Sequence, residues 1–287
     1  MPGYSFFDLV HGLVYGYFPY LYIAIGKGEH PLGRAAGRVW GTWRRVFPAR
    51  PKPEEKKDVG FADTYHGKAI PLETAKQLVS VKQDLTISYP EQVIPYPLAR
   101  ELILHDPDHI IALDCPCRAS KENPCQPVDV CLIVGEPFAS MVAESHPSRT
   151  KWITPERARE ILEAEEQRGH VHHAFFKDAM LGRFYAICNC CACCCGAMQA
   201  QRNGTPMLAS SGYLSRVDEA ACQGCGTCGD YCQFSAISVQ DGYSVVDDVK
   251  CMGCGVCVSH CPNDAMRLEL APWKGQPMTL PAEMLAI

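Results

Sequence analysis

The chain has 287 residues, enough for two domains or for one domain with extensions. A formal net charge of −5 and a pI near 6.1 give no global nucleic-acid signal. Eighteen cysteines argue against an ordinary globular composition, and the adjacent Cys190-Cys191 and Cys193-Cys194-Cys195 suit reduced, metal-holding thiolates in a reducing compartment better than disulfides.

The chain opens Met-Pro-Gly-Tyr, with no basic stretch before the first apolar run, so no signal peptide is expected. Residues 5–26 are apolar and rich in tyrosine, but Asp8, His11 and Pro19 interrupt them. The length suffices for a membrane span, whereas the tyrosines suit a membrane–water interface or a protein groove. Three readings stand: docking onto a partner subunit, peripheral or membrane anchoring, and packing on the chain's own core. Basic residues follow, among them Lys27, Arg34, Arg38, Arg44, Arg45, Arg50 and Lys52, and would keep the rest of a membrane-bound chain on the cytoplasmic side. Residues 48–58 read as a solvated linker.

In the central region, residues 56–210, Pro71–Ser80 has the spacing of a short helix, and a second is expected after Pro97 through Leu98–Leu104. His109–Leu113 reads as a buried strand that delivers Asp114 and Cys115. The clearest helix has Thr154 as N-cap, Pro155 at its first position and Gly169 as its stop, with Ala158, Ile161 and Leu162 on one face. Val171–Phe176 and Phe184–Ile187 follow as a hairpin. Helices before a hairpin also suit a winged-helix module, but the third helix is acidic, which speaks against DNA.

Ten cysteines lie here in two groups. The first is Cys115-Pro-Cys117-Arg118 with Cys125 and Cys131. The second is Cys188, Cys190, Cys191, Cys193, Cys194 and Cys195. Each group follows an apolar run, so both are expected at strand ends on one side of the domain, a rigid platform for ligands. At least one further iron–sulfur centre is expected from them; Cys131, inside an apolar run, also reads as a small buried residue. Spacing does not decide which cysteines ligate. His170, His172 and His173 stand nearby as ligands, proton donors or, more simply, hydrogen-bonded residues of the hairpin surface. Arg118 suits either a bond to cluster sulfide or an ion pair. Cys194-Cys195-Gly196 resembles the Cys-Cys-Gly signature of heterodisulfide reductase-type subunits, although the second copy of that family's pattern is missing.

Beyond residue 210 the pattern Cys-x2-Cys-x2-Cys-x3-Cys occurs twice: Cys222, Cys225, Cys228, Cys232, and then Cys251, Cys254, Cys257, Cys261. The copies repeat every 29 residues, so that Gly224 matches Gly253, Gly226 matches Gly255 and Ala236 matches Ala265. Zinc prefers two separated cysteine pairs to closely spaced fours. Residues 211–272 resemble the bacterial-type ferredoxins that carry two [4Fe-4S] clusters. The resemblance implies cross-ligation, with Cys222, Cys225, Cys228 and Cys261 on one cluster and Cys251, Cys254, Cys257 and Cys232 on the other. Gln233 departs from it, standing where proline is usual, whereas Pro262 keeps the proline of the second copy. With His66-Gly67-Lys68 and Cys115-Pro-Cys-Arg118, the whole resembles a set of long ferredoxin-domain proteins of anaerobic prokaryotes, which lends no activity.

The expected fold is α+β: an aromatic, basic arm and linker at 1–55, a cysteine-rich α/β domain at 56–210, and a βαββαβ dicluster module with a tail at 211–287. The expected function is electron transfer inside a larger redox complex, with other redox subunits as partners and no nucleic acid. The expected location is cytoplasmic, with residues 5–26 allowing contact with the inner membrane face or a membrane subunit. The chain has neither G-x-G-x-x-G after a strand nor G-x4-G-K-[ST], in line with a carrier. Two alternatives remain: a reductase with its own site at Cys188–Cys195, and an interaction or maturation protein whose extra cysteines hold zinc.

Overall fold

The computed structural model describes residues 6–46, 65–96, 101–177 and 180–281. The expected linker at 48–58 lies outside the described residues. Two short helices, α1 (Phe6–Tyr17) and α2 (Pro19–Gly26), replace one long apolar helix. Pro19 has no amide proton to continue α1, but its fixed φ suits the first position of α2. No helix among the described residues is long and apolar enough to cross a membrane. The inner side of this pair packs on the chain's own core through Tyr15, Gly16 and Pro19, while Phe6, Val10, Leu13, Val14, Phe18 and Leu21 stay exposed. Helix α3 (Pro31–Val46) follows.

The central body is a sheet with its helices. Its elements are β1 (Tyr65–Ala69), α4 (Leu72–Leu78), β2 (Leu85–Ser88), β3 (Glu101–Leu113), α5 (Pro116–Ala119), β4 (Cys131–Glu136), α6 (Phe138–Ser145), β5 (Thr150–Ile153), α7 (Pro155–Gln167), β6 (Val171–Lys177), β7 (Arg183–Cys190), α8 (Gly196–Arg202) and β8 (Leu208–Ala209). The strand order is β2-β3-β4-β7-β6-β1-β8, with β5 also paired to β3.

The helix expected at Leu98–Leu104 is not formed where the chain is described. Glu101–Leu104 instead open β3, and Leu102 and Leu104 pair with Ile87 and Leu85. Both leucines are buried, so the two-residue spacing and the cross-strand partners override the helix propensity of the segment. Other expected elements are present. Helix α4 falls inside Pro71–Ser80, and Thr154 Oγ1 accepts from the Arg157 amide to cap α7. Strands β6 and β7 form the expected antiparallel hairpin. It is no surface hairpin, however: every residue of β6 is buried, because β7 and β1 flank it and α7 packs against it.

The register gathers the cysteine groups. Leu113 lies opposite Cys131, and Leu132 opposite Ile187, so the end of β3, the start of β4 and the end of β7 meet at one edge of the sheet.

The C-terminal module runs β9 (Tyr213–Val217), α9 (Thr227–Asp230), β10 (Ile237–Gln240), β11 (Tyr243–Val246), α10 (Val256–Ser259) and β12 (Met266–Leu270). Strands β9 and β12 pair, as do β10 and β11, both antiparallel. Gly224 and Gly253 sit at φ +63° and +64°, and a Cβ would strike the Gly242 carbonyl at the first and the Tyr213 carbonyl at the second. Glycine is therefore required at both positions by conformation and by space.

Candidate metal centres

The two copies of the C-terminal motif carry matching hydrogen bonds. The Ala236 amide donates to Cys232 Sγ and the Ala265 amide to Cys261 Sγ, each at 3.3 Å. Serines cross between the copies: Ser215 Oγ lies 3.0 Å from Cys257 Sγ, and Ser244 Oγ lies 3.2 Å from Cys228 Sγ. Ser215 and Ser244 are themselves 29 residues apart, as are Cys228 and Cys257. Burial raises the Cys228 thiol, and the charges of neighbouring Cys261 and Cys222 add to this. Burial likewise raises Cys254, whose cysteine neighbours are Cys257, Cys232 and Cys251. Cys228 thus has neighbours from both copies, and so does Cys254. Thiol donor sets, glycine-lined loops and amide donors aimed at sulfur fit cluster cradles.

At the sheet edge the other ten cysteines divide in two. Eight of them line one pocket, Cys191 and Cys194 included. The other six of these are Cys115, Cys117, Cys131, Cys188, Cys190 and Cys195. They are arranged as a ring. Cys131 Sγ lies 3.8 Å from Cys188 Sγ. Cys115 contacts Cys131 and Cys117, Cys117 contacts Cys195, and Cys195 contacts Cys190, which feels the charge of Cys188. Bonds from Cys117 and Cys131 hold the Cys115 thiol well below its ordinary value, whereas those two neighbours are raised well above theirs. Tyr15, Gly16, Pro19 and Ile23 of α1 and α2 form its apolar roof. Lys27 Nζ fixes α2 to the turn below by donating to the Cys117 carbonyl at 2.8 Å and to Ser120 Oγ at 2.9 Å.

The remaining four, Cys125, Cys191, Cys193 and Cys194, form a tight group with all sulfurs within 4.8 Å of one another. Cys191 and Cys194 are buried, Cys125 is half-buried and Cys193 is exposed.

Arg118 takes the ion-pair role. It is fully buried, donates to Glu165 Oε2 at 2.6 Å and to the Asn189 carbonyl at 3.0 Å, and also reaches the Pro127 carbonyl. Burial would push the Glu165 carboxyl up, but His170 and Arg118 outweigh it and hold it below the usual range. The three histidines are all buried, which corrects their expected place on a hairpin surface. His170 Nδ1 lies 2.6 Å from Glu165 Oε2. His172 Nδ1 donates to Asn189 Oδ1 at 2.6 Å, and its Nε2 faces Glu166 Oε2 at 3.1 Å. Burial pulls His173 down to about 3, so it is neutral at physiological pH. No histidine belongs to the tight sulfur group.

The spacing of residues did not single out the groups that join the two bodies. Glu166 Oε1 accepts from Ser259 Oγ at 2.6 Å, beside Cys257 and Cys261. Gln233 donates to the Gly169 carbonyl at 2.9 Å and accepts from the Ala192 amide at 2.8 Å. A signal for Glu165 and Glu166 did exist: they stand four residues after Ile161 and Leu162, on the apolar face of α7.

Residues 221–268 match the family described as the 4Fe-4S dicluster domain. No curated protein matches the chain. The domain implies two [4Fe-4S] clusters, and the further gathered cysteines allow an additional iron–sulfur cluster. Such a domain with so many cysteines points to iron–sulfur electron transfer.

Proposed function

We propose that the protein carries single electrons between its dicluster module and a third iron–sulfur centre at the six-thiol ring, as a subunit of a larger redox assembly. Iron–sulfur centres supply one-electron redox chemistry when bound. In this reading Cys222, Cys225, Cys228 and Cys261 hold one cluster of the module, and Cys251, Cys254, Cys257 and Cys232 hold the other. The mixed neighbourhoods of Cys228 and Cys254 support that division. The order strand, helix, strand, strand, helix, strand supports a bacterial-type βαββαβ pseudo-repeat.

The observation that carries the proposal is the Gln233 bridge. Gln233 follows the ligand Cys232 and bonds the amide of Ala192, between Cys191 and Cys193. Beside it, Phe234 packs edge-on to His173, whose register partner is Cys188 of the ring. Module and ring are thereby joined by chain, by hydrogen bonds and by the Phe234–His173 contact. Among the residues of the ring, Cys115, Cys131, Cys190 and Cys195 are buried, and α1 and α2 close over them. At the ring, this closure favours relay over catalysis, which needs an open coordination position. The exposed apolar residues of α1 and α2 support docking on a partner redox subunit or at the inner membrane face.

Anaerobic iron and sulfide analysis with EPR of the reduced protein tests this. Three cubane-sized centres give about twelve irons and as many sulfides per chain, and Cys115→Ser lowers both to about eight while leaving the dicluster signals. About eight irons in the unaltered protein would remove the third centre and leave a plain dicluster carrier.

A further inference from the structure

The two cysteine groups at the sheet edge differ in shape, and the difference has chemical content. In the six-thiol ring the contacts run from one sulfur to the next around the pocket, as befits ligands spread over several metal atoms. The other four sulfurs all approach one another. Cys193 Sγ lies 3.1 Å from Cys125 Sγ, 3.4 Å from Cys191 Sγ and 3.6 Å from Cys194 Sγ, and Cys191 and Cys125 are 3.8 Å apart. Four thiolates at about 2.3 Å from one ion define a tetrahedron with edges of about 3.8 Å. A cubane, by contrast, seats each thiolate on a different iron and holds them farther apart. Among the described residues this is the one group of three or more possible ligands so tightly gathered, and the quartets of the dicluster module are not.

We propose that Cys125, Cys191, Cys193 and Cys194 bind a single tetrahedral metal ion, without bridging sulfide, separate from every iron–sulfur cluster of the chain. A tetrahedral all-sulfur set suits zinc or a lone iron. Binding a divalent ion exchanges the thiol protons for four metal–sulfur bonds and leaves a site of charge −2. Two cations answer that charge. Lys121 Nζ donates to the Cys193 carbonyl at 2.7 Å, and Arg202 donates to the Ala192 carbonyl at 2.6 Å. The ion ties the loop bearing Cys125 to the turn after β7. Holding zinc, which has no redox chemistry, the site is a clamp and not a relay station. It would hold rigid the same turn that Gln233 bonds through Ala192.

The test is metal analysis and X-ray absorption on the anaerobic full-length protein, beside Cys125→Ser and Cys115→Ser. The expected result is one zinc, or one iron in excess of sulfide, per chain with four sulfurs near 2.3 Å. Cys125→Ser loses that ion with sulfide unchanged, and Cys115→Ser keeps it. Loss of sulfide in Cys125→Ser, or absence of the ion from the unaltered protein, overturns the proposal. If Cys125→Ser does not fold, the exposed Cys193→His takes its place. The shell must then change from four sulfurs to three sulfurs and one nitrogen, and an unchanged shell overturns the assignment. The ring has its own readout, because failure of its cluster appears as normal sulfide in Cys115→Ser.

Discussion

The Gln233 side chain accepts a hydrogen bond from the Ala192 amide at 2.8 Å and donates one to the Gly169 carbonyl at 2.9 Å. A proline, usual at this place in the resembled ferredoxins, could make neither bond. The departure from that pattern is thus one of the points at which the module is fastened to the cysteine-rich body. Replacing Gln233 with Ala leaves a backbone donor and acceptor without these partners, at about 1–2 kcal/mol. Amide exchange at Ala192 should therefore quicken about tenfold or more, while the reduced dicluster EPR spectrum keeps its shape. Unchanged exchange at Ala192 would show that the bridge does not fasten the two bodies.

The crossed serines predict selective tuning. Ser215 bonds Cys257, and Ser244 bonds Cys228. A hydroxyl donor to a thiolate stabilises the more negative, reduced state, so its loss lowers the potential. Ser215→Ala should lower the potential of the cluster at Cys257, and Ser244→Ala that of the cluster at Cys228. The size expected is on the order of 50 mV, about one tenfold step for one electron. EPR-monitored redox titration reads this, and two variants that shift the same cluster would refute the crossing.

How much of this was legible beforehand follows from the range of the interactions. Local signals carried through: the Thr154 cap, the hairpin of β6 and β7, and the double motif from Cys222 to Cys261 all depend on neighbours in sequence. The segment Leu98–Leu104 reads as helix by composition, and only its pairing with Leu85–Ser88 makes Glu101–Leu104 a strand. The division of ten cysteines into six and four was not legible. It depends on Cys125 turning toward Cys193 while Cys117 turns toward Cys195, partners 68 and 78 residues away. The burial of His172 and His173 depends on β1 pairing beside β6 from a segment a hundred residues earlier, and that of His170 on Glu165 and Arg118. The apolar run at 5–26 left three partners open, and the chain's own core takes its inner face.

Lys68 predicts a pH dependence. It is buried in β1 and donates to the Ser210 carbonyl at 2.7 Å, where the central body meets the module. Burial lowers its pKa to about 8. Below about pH 8 the folded and unfolded chains both carry the proton. Between about 8 and the unfolded value near 10.4 only the unfolded chain holds it, so stability in that window rises with pH. The full effect is on the order of 3 kcal/mol. Relative to Lys68→Met, the unaltered protein should gain stability between pH 8 and pH 10 in anaerobic urea unfolding. A difference that stays constant with pH would mean that Lys68 keeps its charge in the folded state.

The roof over the six-thiol ring predicts a kinetic phenotype. Helix α2 is held down by Lys27, with its bonds to Cys117 and Ser120, and by Tyr20, whose hydroxyl donates to the Asp114 carbonyl at 2.9 Å. Tyr15 adds a second anchor in α1, through Tyr185 at 3.0 Å and through Lys177, whose ammonium sits 3.6 Å above its ring. Each such hydrogen bond contributes about 1 kcal/mol, so removing the three on α2 raises the open population about tenfold or more. In Lys27→Met combined with Tyr20→Phe, an iron chelator should strip the ring's iron about ten times faster. The dicluster irons, bound within residues 221–268, should leave at their former rate. Equal acceleration of all irons would indicate general unfolding, and no acceleration would mean that α2 does not guard the ring.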